Sequence, residues 1–219
     1  MQREGLLNVM PWPLPMPVDV WPPVPGHIPQ VHYFAQLAAL NDCLYRYMST
    51  ARHIVFTDLD EVIVPRPPHD NWSSLLKELR SKLSRPPALF MFRNVFFWLE
   101  WPNDPKYAAV EKVVRLNLTT LLKTRRQVYM ERYSQRSKCI VVPRAILDMG
   151  VHEVNTYYDY EQMTAYVDAS YGLLHHYRVD LGGGIDQPYQ VDTRMWDFAQ
   201  LIIDRTWHLH ESILSTDRR

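Results

Sequence analysis

The chain has 219 residues, enough for one domain or a large piece of one. Apolar residues make up 47% and charged residues 22%, the composition of a folded chain and not of a disordered one. Lys plus Arg equals Asp plus Glu at 24 each, which leaves no electrostatic footprint for nucleic acid.

Met10 to Pro17 and Trp21 to Pro29 are Pro-rich and cannot be helical, because Pro lacks an N–H and clashes with the preceding turn. Residues 1–29 are therefore expected to be an extended arm that packs its Trp and Val side chains on a globular domain of residues 30–219, with a Pro-rich ligand for a recognition module as the alternative. Leu37, Leu40, Leu44, Tyr47 and Met48 recur at helical spacing and predict a helix over 31–51. Ile54 to Thr57 is a short β-branched and aromatic run, the pattern of a buried strand. Leu75, Leu76, Leu79 and Leu83 predict a helix over 71–84, capped by Asn71 or Ser73. Ala88 to Trp98 reads as one Phe-rich strand and 138–142 as another, stopped by Pro143. Lys123, Arg125 and Arg126 read as a solvated helix face. Arg144 to Met149 reads as a short helix ended by Gly150. Gly172 to Tyr177 is strand-like, Gly182 to Gly184 a flexible turn, and 193–214 a closing amphipathic helix. This alternation of strands and helices predicts an α/β fold.

No apolar run approaches the roughly 20 residues that span a bilayer. Met1 to Asn8 carries charge and lacks the apolar core of a signal peptide. Two sequons, at Asn71 and Asn117, permit a lumenal location. The expectation is either a cytosolic chain or one whose N-terminal part, with any anchor, is missing. Cys43 and Cys139 are either bridged in an oxidising compartment or two buried thiols.

The most informative stretch is Asp58, Leu59, Asp60 and Glu61, placed where the first strand ends. Ligands of open α/β sheets bind at such carboxyl ends. Two converging carboxylates repel unless a cation lies between them. Hard oxygen donors suit Mg²⁺ or Mn²⁺, which also bind phosphate oxygens. Such an ion would hold the diphosphate of a nucleotide sugar. The same triplet has two other readings. One is an acidic turn that merely closes a strand. The other is a haloacid-dehalogenase-type phosphatase, with Asp58 as nucleophile and Asp60 as acid/base. That motif usually opens its fold and continues with Gly, whereas here 57 residues precede it and Glu61 follows.

From about Gln30 the chain resembles glycosyltransferase family 92. The strings that carry the resemblance are QLAALNDCL from Gln36, IVFTDLDEVIVP from Ile54, FRN from Phe92, KCIVVPR from Lys138, GVH from Gly150 and LHHYR from Leu174. Each is short; their common order is the specific signal. The resemblance covers roughly residues 10–180. It implies a GT-A fold, a Rossmann-type mixed sheet flanked by helices, with part of the N-terminal nucleotide-binding half missing here. It implies transfer of galactose from UDP-galactose to a glycan acceptor with Mn²⁺ as cofactor. It also implies a Golgi enzyme facing the lumen from a single-pass type II anchor absent from this chain. Asp58 and Asp60 then match the metal-binding Asp-x-Asp.

GT-A enzymes often complete the metal shell with a histidine. Among His152, His175 and His176, the position of His176 before Tyr177 and Arg178 favours it, with His152 second. Arg178 is a candidate for the diphosphate, since guanidinium matches phosphate oxygens bidentately. Lys138 could do the same, although simple solvation at a strand start is the plainer reading. An inverting transfer needs a carboxylate to take the acceptor's proton, and Glu100, Glu153 and Asp104 are the candidates. Glu61 is better suited to orienting the metal ligands. A non-catalytic glycan-binding fragment is the alternative function.

Overall fold

The computed structural model describes residues 7–19, 24–159, 161 and 163–216. In chain order, a 3-10 turn at His32–Ala35 leads into α1 (Gln36–Tyr47), followed by β1 (Ile54–Phe56), β2 (Glu61–Pro65) and α2 (Trp72–Ser81). Next come β3 (Pro87–Phe92), β4 (Asn94–Trp98), the helical turns α3 (Pro105–Ala108), α4 (Glu111–Arg115) and α5 (Thr119–Leu122), and β5 (Arg125–Gln127). β6 (Lys138–Val141), β7 (Ile146–Met149), β8 (Val154–Tyr157), β9 (Met163–Val167), β10 (Gly172–Arg178), β11 (Tyr189–Val191) and α6 (Ala199–Thr216) complete the chain.

Two mixed sheets organise the fold. The larger has the order β1-β6-β3-β9, with only β3 and β9 parallel. The smaller has the order β2-β10-β4, with β10 antiparallel to β2 and parallel to β4. Alternation along β3 divides the core. Leu89 and Met91 face a cluster with Leu44, Phe56, Ile146 and Met149, under α1 and the β7–β8 hairpin. Phe90 and Phe92 face Leu75, Leu76 and Ile63 on the side of α2. Both faces are covered, so the strand is apolar throughout, as a doubly buried strand must be. A third cluster, with Val64, Val113, Leu121 and Met195, seats α4, α5 and α6. The expected α/β class holds: mixed sheets flanked by helices.

Several local expectations are corrected. The Phe-rich run 88–98 is two strands in different sheets, broken at Arg93. The Arg93 guanidinium donates to the carbonyls of Glu131 (3.0 Å) and Met130 (2.7 Å), which holds the chain where it switches sheets. Arg144 to Met149 is not a helix: a 3-10 turn at Pro143–Ala145 gives way to β7, whose pairing with β8 buries Ile146 and Met149. The segment of Lys123, Arg125 and Arg126 is no solvated helix face. Lys123 Nζ donates to the Trp101 carbonyl, while Arg126 lies buried in β5 with its Nε 3.0 Å from Asp192. The Pro-rich arm is extended, but Trp12 (43% exposed) and Val24 (57%) do not pack on the domain. It is anchored instead by a bridge between Val18 and Val31 and by Gln30 N–H to the Pro17 carbonyl. Trp21 lies outside the described residues. Cys43 and Cys139 are free thiols, and burial pushes Cys139 up to about 12, which suppresses its thiolate. No helix among the described residues is long and apolar enough to cross a membrane.

Candidate functional site

The acidic cluster occupies the tight connection between β1 and β2, two short strands that belong to different sheets. Glu61 N–H donates to the Asp58 carbonyl (3.2 Å), and Tyr177 N–H on β10 donates to the Asp60 carbonyl (2.9 Å). The connection is thus tied at both ends, and its acidic side chains are carried beside β10. Leu59 between them is fully exposed, so the turn faces solvent.

His176 stands at the centre of the smaller sheet, opposite Glu61 of β2 and Phe96 of β4. Its Nδ1 has two oxygen neighbours, Asn94 Oδ1 (3.2 Å) and Glu61 Oε1 (3.3 Å). Two acceptors around Nδ1 assign that nitrogen the proton. Nε2 then presents its lone pair to Asp60 Oδ2, 3.2 Å away. Burial pulls the imidazole down to about 4; Asp60 opposes the shift and Arg178 reinforces it. A neutral imidazole nitrogen and a carboxylate oxygen in contact are two acceptors in want of a cation.

Asp58 is engaged differently. Its Oδ2 accepts from Lys138 Nζ (3.1 Å), and its N–H donates to Glu61 Oε2 (3.0 Å). Lys138 is itself buried and lies 3.5 Å from Glu61 Oε2. The plain solvation reading of Lys138 is therefore corrected, and it does not line the cleft either. Burial raises the Glu61 carboxyl, against the Asp58 N–H and Lys138. Glu61 touches both Asp58 and His176, the geometry of a residue that orients ligands. The two aspartates do not converge side by side as the sequence suggested: Asp58 is bonded to Lys138, and Asp60 faces His176. Among the described residues no three His, Cys, Asp or Glu side chains close around a single point.

These groups border a cleft of about 680 Å³ lined by Asp58, Asp60, His152, His176, Arg136 and Arg178, among others. His152 is half-buried, its Nδ1 3.2 Å from the Ser137 carbonyl. Burial and then Lys138 lower its pKa, so it too is a neutral imidazole. Arg136 and Arg178 both sit over the Phe96 ring, at 5.6 and 6.0 Å, and neither makes an ion pair among the described residues. Two uncommitted guanidiniums beside a cleft form a receptor for phosphate oxygens.

Asp58, Asp60, His152, His176 and Arg178, singled out from the sequence, all line this cleft. Glu100, Glu153 and Asp104 do not line it. Glu100 accepts from Asp180 N–H (3.1 Å), and Asp104 caps α3 and binds Thr124 Oγ1 (3.0 Å). Glu153 is exposed at the tip of the β7–β8 hairpin. His175 faces away from the cleft, between Arg66 and Tyr177. Sequence reasoning missed Arg136, which had no motif around it. It also missed the part Asn94 plays, although Asn94 closes the FRN string.

Comparison with known proteins gives a consistent result. The sequence pattern of glycosyltransferase family 92 matches residues 1–214. Three Caenorhabditis elegans proteins named as glycosyltransferase family 92 members are similar to the chain. One is 39% identical over 69 residues, which cover 30% of this chain and 13% of the relative. The others are 27% and 25% identical over 122 residues, 56% of this chain and 22% of each relative. The aligned chain thus spans under a quarter of the length of these relatives. With a family pattern matched along nearly its whole length, this chain belongs to glycosyltransferase family 92.

Proposed function

We propose that this chain carries the donor site of a metal-dependent glycosyltransferase that moves a sugar from a nucleotide sugar to a glycan. The observation that carries the reading is the contact of His176 Nε2 with Asp60 Oδ2 at 3.2 Å, in a cleft that also holds two unpaired arginines. Imidazole and carboxylate suit Mn²⁺ or Mg²⁺, so the donor set fits the cofactor that the family resemblance suggests. Asp60 and His176 would hold the ion, with Asp58 and His152 in reach of the same cleft. When bound, it would neutralise charge on the diphosphate leaving group.

The chain's own residues do the rest. Asn94 and Glu61 hold the His176 Nδ1–H and keep Nε2 directed at the cleft. Lys138 balances the buried Glu61 carboxylate, so that the loop can carry three acidic residues. Arg136 and Arg178 bind diphosphate oxygens. Galactose as the transferred sugar, UDP as its carrier, inversion at the anomeric carbon and a lumenal Golgi location complete the reading. Membership of the family sets the phosphatase reading aside.

The test is titration calorimetry with UDP in the presence and absence of Mn²⁺. We expect Mn²⁺-dependent binding that Asp60→Ala weakens at least about 10-fold, roughly the 10- to 100-fold range for disturbing a metal site. UDP binding that is indifferent to Mn²⁺ and to Asp60 would overturn the donor site. It would leave the non-catalytic glycan-binding reading in its place.

A further inference from the structure

A second hollow of about 400 Å³ adjoins the cleft and shares Arg136, Arg178 and Leu181 with it. Its volume falls within the roughly 300–1,000 Å³ of small-ligand sites. Phe96 and Trp98, buried and stacked with ring centroids 4.5 Å apart, back one wall. Tyr129, 54% exposed, stands free at the rim. Gln127 and Glu131 add polar groups. Trp98 Nε1 and Gln127 Nε2 are buried without a hydrogen-bond partner. Unpaired buried donors cost about 1–3 kcal/mol each, so such atoms ask for a missing acceptor.

The two carboxylates of the hollow differ. Asp180 is spent on its own loop, accepting from the N–H groups of Gly182, Gly184 and Ile185 at 3.0, 2.8 and 3.1 Å. Glu131 makes no side-chain hydrogen bond or ion pair among the described residues. Only its backbone is committed, to Asn94 and Arg93. With Arg136 and Arg178 turned to the diphosphate, the carboxylates of Asp180 and Glu131 disfavour an anionic ligand in the hollow. An exposed tyrosine ring, an amide and a free carboxylate are the chemistry that recognises a sugar ring.

We propose that this hollow is the acceptor-sugar subsite, taking a neutral hexose ring, and that Glu131 receives the proton of the attacking hydroxyl. The inference rests on the cleft being the donor site. The acceptor oxygen bonds to the anomeric carbon as the bond from that carbon to the diphosphate oxygen breaks. The nucleotide leaves with the electron pair, and the hydroxyl proton passes to the Glu131 carboxylate. None of the acidic residues singled out from the sequence has this placement. Glu100 braces the loop of Asp180, and Glu153 and Asp104 line neither cavity.

The test reads the two cavities separately. Saturation-transfer NMR with methyl β-D-galactopyranoside and methyl β-D-glucopyranoside reports the hollow without any nucleotide, and calorimetry with Mn²⁺ and UDP reports the cleft. Tyr129→Ala and Gln127→Leu are expected to weaken binding of at least one glycoside by about tenfold, with UDP binding unchanged. Glu131→Gln should keep glycoside and UDP binding but lower transfer from UDP-galactose by about 100-fold or more. Nucleotide binding without glycoside binding, or glycoside binding indifferent to both substitutions, would overturn the subsite. Transfer at the wild-type rate in Glu131→Gln would overturn the proton role. So would absence of transfer in a wild-type chain that binds both ligands. Glycoside binding in the hollow with no nucleotide binding would instead sink the donor reading and the proton role with it, and leave only a sugar-binding hollow.

Discussion

Replacing Lys138 with Met tests how the acidic loop is held. Met keeps most of the aliphatic stem and removes the charge. Lys138 and Glu61 have side chains only 3% and 2% exposed, with Nζ 3.5 Å from Oε2. At the effective dielectric of about 20 that suits such sites, the pair attracts by about 4–5 kcal/mol. Removing one partner of a buried pair costs about 3–5 kcal/mol, because the other charge is stranded. Asp58 is half exposed, so its own bond to Lys138 adds under about 1 kcal/mol. The expected loss of about 3–5 kcal/mol lowers the melting temperature by roughly 6–20 °C in a chain of this size. Urea unfolding of Lys138→Met, Glu61→Gln and the double variant measures the coupling, expected near 2 kcal/mol. The gap between Lys138→Met and the wild type should narrow as pH falls from 7 to 5. Glu61 is already raised, so the folded variant takes up a proton before the unfolded chain does, and lower pH favours it. A single variant within about 0.5 kcal/mol of the wild type, or strictly additive effects, would refute this reasoning.

Two further outcomes follow from other parts of the fold. Burial pulls His175 down to about 3, opposed by Asp192, so the unfolded chain binds its proton first. Burial would raise Asp192, but the hydrogen bond and charge of Arg66 hold it below the usual carboxylate range. Both groups have depressed folded-state values, so the His175 contribution falls as pH drops below about 6.5 and the Asp192 contribution only below about pH 4, each at up to about 1.4 kcal/mol per pH unit. Unfolding free energies measured from pH 7 to 4 check the sign; a flat or rising profile contradicts it. Separately, a Cβ on Gly184 would lie 2.5 Å from the Trp98 ring, so Gly184→Ala must lift the loop and should cost about 1–3 kcal/mol while changing Trp fluorescence. Unchanged emission and melting would mean that the loop does not rest on Trp98.

Much of the fold was legible because apolar pattern and strand pairing agree. Ile54 to Phe56, Lys138 to Val141 and Gly172 to Tyr177 are strands where the sequence suggested them, and Asn71 caps α2 through its bond from Ser74 N–H. The failures lie where distant pairing decides. Nothing local separates β3 from β4, since both are apolar, and the break at Arg93 is set by carbonyls about forty residues away. β7 has a helix-like composition and becomes a strand only through β8. In the site, the family resemblance singled out Asp58, Asp60, His176 and Arg178, which line one cleft, but not the division by which Asp58 meets Lys138 and Asp60 faces His176. That division depends on a register between β10 and β2 that spacing does not contain.

β10 shows how one strand can serve both stability and chemistry. Successive residues of a strand point to opposite faces. His176 is therefore directed to the cleft, between Asp60 and Asn94, while His175 is directed into the interior with Arg66, Asp192 and Tyr177. Both rings are kept neutral chiefly by burial, yet their partners differ. On the interior side two arginines, Arg66 and Arg126, converge on Asp192 and lock the strand against the β5–β11 region. On the cleft side a single carboxylate faces the imidazole nitrogen, with room beside it. The interior network engages His175, and the one-residue alternation then directs His176 to the opposite face. In the proposed donor site, the imidazole lone pair of His176 would thus be backed by the charge cluster on the other face of the same strand.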